Sequence, residues 1–414
     1  MHPGLAYHAY EAGLLAMAPA RAAAAAISAW SSAANAFAPN PVVAAVGAGA
    51  ELAERLTRRY PKQEWRISRV LSRGREVSVS ACAVHSLPFC DLVHFAKDMP
   101  EAERGPRLLL VAPLSGHHAT LLRDTAERML SYCDVFITDW KDAKDVPLSS
   151  GPFSLDDYVD YVAAMLRRLG PGTSVMAVCQ PAVPVLSAVS LMAEDGDPCT
   201  PPAMVLMGGP VDVSRSPTAV NRLAEEKGYG WFERNLVSYV PMTHAGAGRL
   251  VYPGFMQLSA FISMNPGRHA SSHAGLFFDL AAGREEAAAR HREFYDEYLA
   301  VMDLDAGFYL DTIRKVFVER HLPEERMTHR DRAVRPEAIG NTALMTVEGG
   351  RDDITGPGQT FAAHGLCGSI PEELRRHHVE ADAGHYGIFS GRRWRESVAP
   401  AVEGFLASAL RRPG

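Results

Sequence analysis

Ser174-Val175-Met176-Ala177-Val178 is a short apolar run that ends on a thiol, Cys179. Gln180 and Pro181 follow, and residues 181–193 continue as an apolar helix pattern. A strand, a sharp turn and a helix put the thiol at the apex, lifted off the sheet edge and facing the helix N-terminus. Unpaired N–H groups at such a terminus favour the thiolate, and a nearby histidine can take its proton. A free cysteine is more often a buried core residue. Partners elsewhere in the chain must decide between the two.

A cysteine nucleophile needs a base, and the base needs a group that orients it. Of the 16 histidines, His385 has the right setting: Gly384 and Gly387 frame it on a loop between the last strand pattern and a final helix over about 392–410. The pairs His117-His118 and His377-His378, and His269 with His273, read mostly as polar surface or loop residues. The acid follows a strand pattern over 342–347, in Glu348-Gly349-Gly350-Arg351-Asp352-Asp353-Ile354. Asp352 and Asp353 are both candidates. Asp352 is preferred because its spacing leaves Ile354 to anchor the loop in apolar surroundings. Nucleophile, acid and histidine, each after a strand, follow the chain order of the α/β-hydrolase triad.

The oxyanion of such a site needs two backbone donors. The Gln180 N–H is one, and the loop Leu114-Ser115-Gly116-His117 offers the other, with Ser115 the choice. Leu114, His117 and Tyr386 are the candidate substrate contacts. The flanks of Cys179 depart from the usual G-x-nucleophile-x-G elbow, since Ala177 and Pro181 stand where glycines would. Proline early in a helix is tolerated, because its missing N–H is unpaired there anyway.

The elements that must hold these residues read as a mostly parallel sheet flanked by helices. Strand patterns at 67–70 and 77–84, the second closed by Pro88, precede a fully apolar run at 107–111. Helix 119–130, strand 132–140, a capped helix 155–169 opened by Ser154-Leu155-Asp156-Asp157, the elbow strand and a strand at 203–207 then alternate. After Gly208-Gly209-Pro210 the alternation stops. Residues 215–335 read as a helical lid insertion with an amphipathic stretch at 308–319, and the stretch 252–264 as lid core or a groove lining. Strands resume at 342–347 and 377–380. The organisation is therefore an N-terminal helical extension (1–60), an α/β-hydrolase core in two parts (61–214 and 336–414), and the lid between them. Residues 22–50 carry no charge and are rich in Ala, fitting helices that pack on the core or on a hydrophobic particle. Pro39-Asn40-Pro41 breaks that run, and 51–59 reads as a short charged helix. The N-terminus lacks the basic flank of a signal peptide.

A net charge of −6 argues against a nucleic-acid partner, and no run of 18 strongly apolar residues suggests a transmembrane segment. The six cysteines form no CxxC pair and fit a reducing compartment. No HExxH or comparable zinc spacing occurs, so no metal is expected, and no cofactor either. Self-association into a homo-oligomer stays open.

Several segments taken together resemble the intracellular polyhydroxyalkanoate depolymerases: Val178-Cys179-Gln180-Pro181-Ala182-Val183-Pro184, Ala112-Pro113-Leu114-Ser115-Gly116-His117, Thr138-Asp139-Trp140-Lys141-Asp142-Ala143-Lys144-Asp145-Val146-Pro147-Leu148, Leu155-Asp156-Asp157-Tyr158-Val159, Asp352-Asp353-Ile354-Thr355-Gly356 and Gly384-His385-Tyr386-Gly387-Ile388-Phe389. The match covers most of residues 65–410. In that family a cysteine replaces the lipase serine, and the resemblance carries the triad to Cys179, Asp352 and His385. It implies cleavage of poly(3-hydroxybutyrate)-type polyester on cytoplasmic granules, with polymer or oligomers as partners. A thioester acyl-enzyme would also allow coenzyme A as acyl acceptor. The rival readings are a polyester synthase using the same residue set, which the Cys-Gln-Pro elbow disfavours, and a non-catalytic granule scaffold.

Overall fold

Apolar five-residue runs bounded by turn residues build the centre of the sheet, and their burial on both faces is what such runs are suited to. The structure is a computed structural model that describes residues 3–411. Nine strands form the main sheet: β1 Arg69–Ser72, β2 Arg75–Ser86, β3 Cys90–Lys97, β4 Arg107–Val111, β5 Asp134–Trp140, β6 Ser174–Val178, β7 Ala203–Met207, β8 Ala343–Gly349 and β9 Arg375–Glu380. Their order is β1-β2-β3-β5-β4-β6-β7-β8-β9. β3 is antiparallel to β2 and β5, and every pair from β5 through β9 is parallel. From β2 onward this is the α/β-hydrolase fold.

Register decides where the chemistry can sit. Val111 pairs with Ala177, Val178 with Met207, and Met207 with Val347. The carboxyl ends of β4, β6, β7 and β8 therefore stand side by side, and ligands of open α/β sheets bind at that edge. The loop with Ser115, the thiol of Cys179, Gly208-Gly209 and the turn with Asp352 all leave from it.

β3 is absent from the sequence reading, which ends the second strand pattern at Pro88. The chain instead turns at residues 87–90, with Leu87 N–H donating to Cys90 O at 2.8 Å, and returns as a third strand. Its polar residues hid it, because they are satisfied internally. His94 Nε2 lies 2.9 Å from Asp134 Oδ1, and Lys97 Nζ donates to the carbonyls of Arg104, Leu130 and Cys133 at 2.5–3.0 Å.

Three helices precede the sheet: α1 Pro3–Ala16, α2 Ala18–Phe37 and α3 Pro41–Thr57. Asn40 caps α3 by accepting from Val42 N–H at 2.9 Å. The separate helix expected over 51–59 is the end of α3, which runs on from Pro41 with no second proline to interrupt it. α2 and α3 meet closely, since a Cβ on Gly47 would stand 2.3 Å from Ser31 Oγ. α3 is tied to the lid by Arg292 to Glu51 at 2.6 and 2.9 Å and by Arg55 to Asp296 at 2.6 Å. Among the described residues no single helix is long and apolar enough to cross a membrane.

Between β7 and β8 lie helices Ala219–Lys227, Tyr229–Leu236, Gly254–Met264, Pro266–Ala281 and Glu285–Tyr298, with a small sheet of Ser238–Tyr239, Leu250–Tyr252 and Leu304–Asp305. The amphipathic stretch expected at 308–319 starts as α-helix Ala306–Asp311 and widens into π-helix Thr312–Val318.

Candidate active site

Cys179 follows β6 with φ +69°, a left-handed conformation that costs a non-glycine residue energy and persists only where its surroundings enforce it. They do so from both sides. Its N–H donates to Met207 O at 2.7 Å, and its carbonyl accepts from Ala182 N–H at 3.2 Å. Helix Ala182–Glu194 starts three residues on. Ala177 and Pro181 are accommodated because the tightest approach falls on another strand. A Cβ on Gly209 would lie 2.1 Å from Ala182 Cβ and 3.1 Å from Cys179 O, and one on Gly208 would lie 3.2 Å from His385 Cε1. The glycines that the elbow sequence lacks are thus supplied by the end of β7. Sequence reasoning took Gly208-Gly209-Pro210 only as the end of the strand–helix alternation.

His385 and Asp352 are both buried, and His385 Nδ1 lies 2.7 Å from Asp352 Oδ2. The other carboxylate oxygen of Asp352 accepts the N–H groups of Ile354 and Thr355 at 2.9 and 2.8 Å, so the acid is fixed by its own loop. Ile354 contributes its backbone N–H to that anchoring, and Asp353 is exposed. The buried Glu348 carboxylate holds the following loop by accepting from Gly358, Thr360 and Phe361 N–H groups at 2.8–2.9 Å. The Cys179 side chain is close enough to His385 to act on its charge. Burial alone would lower its proton affinity. The adjacent Cys179 and Asp352 outweigh that and hold the imidazole well above the ordinary histidine range.

The 112–118 loop reaches the elbow through one hydrogen bond, Leu114 N–H to Gln180 Oε1 at 3.2 Å. Among the described residues no acceptor takes the N–H of Gln180 or of Ser115. Leu114 itself is buried. His117 is not a free surface donor, contrary to the sequence reading. It is 2 % exposed, its Nε2 lies 3.1 Å from Tyr298 O of the lid, and burial pushes it down to about 4. His118 is buried too. Tyr386 is half-buried with its ring edge-on to His385 at 5.8 Å, and burial raises its hydroxyl above the ordinary range, with Tyr298 and Cys179 adding to the effect. No group of three or more metal-ligating side chains with suitable geometry occurs among the described residues.

Residues 208–409 match the family model described as PHB de-polymerase C-terminus. Over that segment, just under half of its length, the chain is similar to the PHB depolymerase family. It is accordingly a carboxylic ester hydrolase. The segment matched to the PHB depolymerase model contains Asp352 and His385, and Cys179 lies ahead of it. No curated protein matches the chain by sequence. Among solved structures it is similar to a thermophilic esterase from Thermogutta terrifontis, at 13% identity and TM-score 0.40 over 83% of this chain and 98% of that one. It is also similar to a meta-cleavage product hydrolase from Pseudomonas fluorescens IP01, at 14% identity and TM-score 0.41 over 82% and 97% of the two chains. The fold assignment rests on the strand order, not on these scores.

Proposed function

We propose that the chain cleaves ester bonds of poly(3-hydroxybutyrate)-type storage polyester, with Cys179 as nucleophile, His385 as base and Asp352 as the group that orients His385. The observation that carries this reading is the left-handed Cys179 at the carboxyl edge of the sheet, beside a histidine that Asp352 holds at 2.7 Å. With Nδ1 given to Asp352, the ring has its other nitrogen for the sulfur. The raised proton affinity of His385 suits it to take the proton of the attacking thiol.

The thiolate attacks the ester carbonyl, and the oxyanion takes the N–H groups of Gln180 and Ser115. The carbon–oxygen bond breaks, and the departing alcohol end takes a proton from His385. Water, giving its proton to His385, then attacks the thioester. The carbon–sulfur bond breaks to release a hydroxy acid or oligomer and return the thiolate. The same thioester can pass its acyl group to coenzyme A in place of water. The polymer lies on cytoplasmic granules in this reading, and no step of the reaction is assigned to the N-terminal helices.

The test is acid release from amorphous polymer granules, with and without coenzyme A. Cys179→Ala is expected to lower turnover by about three orders of magnitude or more. Undiminished cleavage by that variant would exclude the mechanism. Absence of cleavage by the wild-type chain, with granule binding kept, would favour a scaffold. Acyl-CoA without free acid would make thiolysis the reaction.

A further inference from the structure

A cavity of about 950 Å³ lies at the seam of the N-terminal helices, the loop after β5 and the lid. Cys179, Asp352 and His385 are not among its walls. Its volume is within the range of ligand pockets. His118 and Asp139, both more than nine-tenths buried, line it, and each has a polar atom with no partner among the described residues: His118 Nδ1 and Asp139 Oδ1. Leaving such a group unpaired costs about 1–3 kcal/mol. Two on one cavity wall therefore point to something that completes them.

The lining states what that is. Asp139 Oδ2 accepts from Lys62 Nζ, so an ionised Asp139 needs one more hydrogen-bond donor on Oδ1. Lys62 holds Asp139, and Lys144 holds Asp142 with Asp145 at 3.8 Å; an ammonium has three donors, so both have a donor left for an anion. Burial, with Lys62 and Lys144 nearby, pushes His118 down to about 3, leaving a neutral imidazole with one donor and one acceptor nitrogen. Tyr10 and Phe255, stacked at 4.1 Å, give an apolar wall.

We propose that this cavity is a binding site for a short-chain hydroxycarboxylic acid, free or as a short oligoester, whose hydroxyl serves Asp139 and whose carboxylate meets Lys62 and Lys144. The identity of the ligand rests on the proposed reaction, whose products carry one free hydroxyl and one carboxylate. The site itself rests on the cavity. It stands close to the reaction centre in the chain: His118 directly follows the loop with Ser115, and Val301, which bridges to His117, also lines the cavity.

The test is calorimetric titration of the full-length Cys179→Ala chain with 3-hydroxybutyrate and with butyrate. Saturable binding is expected for 3-hydroxybutyrate, about tenfold weaker for butyrate, which lacks the hydroxyl. Lys62→Met changes a half-exposed side chain, and Asp139→Asn preserves shape. Each is expected to weaken binding about tenfold or more, and His385→Gln to leave binding unaltered. Asp139→Asn is expected to keep a nearly unchanged melting temperature, and Lys62→Met to lower it because it leaves the buried Asp139 unpaired. No saturable binding overturns the site, leaving a cavity filled by water. So does equal binding of butyrate, or loss in His385→Gln with none in Lys62→Met. Binding that follows the cavity variants while the wild-type chain releases no acid from polymer keeps the site and removes the proposed reaction.

Discussion

Leu114 donates its backbone N–H to the Gln180 side chain at 3.2 Å, which ties the 112–118 loop to the residue after the nucleophile. Both backbone donors assigned to the oxyanion, Gln180 and Ser115, border this bond. Leucine at position 180 keeps volume and removes the acceptor. Gln180→Leu is expected to lower kcat about tenfold, with a change of about 1 kcal/mol in stability, because the bond positions a donor more than it holds the fold. Unchanged kcat with a lowered melting temperature would show the bond to be structural only.

Gly209 admits no side chain. Alanine there would have to move Ala182 at the start of the elbow helix or the Cys179 carbonyl, 2.1 and 3.1 Å from the new Cβ. Gly209→Ala is expected to lower the melting temperature and abolish most activity. Gly404 lies exposed in helix Ala399–Leu410 with open space about its Cα. Gly404→Ala is expected to stabilise by roughly 0.5–1 kcal/mol through helix propensity and unfolded-state entropy. Thermal melts of the two variants test the contrast, and equal shifts would refute it.

His385 carries more protons in the folded chain than in the unfolded one, since Cys179 and Asp352 raise it. Its unfolded value is near 6.5. The stability it contributes is therefore fully present below about 6.5 and is lost as pH rises through the folded value. His385→Gln is expected to cost more stability at pH 6 than at pH 9. Denaturant unfolding of both chains across that range measures the difference, and a gap independent of pH would contradict the protonated pairing.

Legibility followed chemistry and burial. The runs that became β4, β6 and β7 are apolar and short, so the sequence placed them to within a residue. The order Cys179, Asp352, His385 was legible because each follows a strand. β3 was not, because its His94 and Lys97 look like surface residues until Asp134 and three backbone carbonyls are brought to them. Gly209 and the Gln180 side chain escaped for a related reason. Their roles are contacts between segments distant in sequence, and neither carries a pattern of its own. His117 was misread because two adjacent histidines in a glycine-bearing loop look solvated, whereas the lid closes over them.

That burial makes His117 an acid-sensitive point of the contact between the 112–118 loop and the lid. It stays neutral down to about pH 4 in the folded chain, while the unfolded chain takes up a proton near 6.5. Its folded value is depressed by burial, so its contribution to stability is intact above 6.5 and declines as pH falls toward 4. Integrated from pH 7 to pH 5, the loss is about 2 kcal/mol for this residue. Glutamine keeps a donor for the Tyr298 carbonyl, 3.1 Å from Nε2, and cannot titrate. Urea unfolding of His117→Gln is therefore expected to lose about 2 kcal/mol less than the wild type between pH 7 and pH 5. His118 and His364, held down to about 3 and about 4, add to the wild-type slope in the same direction and are common to both chains. Parallel pH profiles for the two chains would show that His117 is free to protonate in the folded chain.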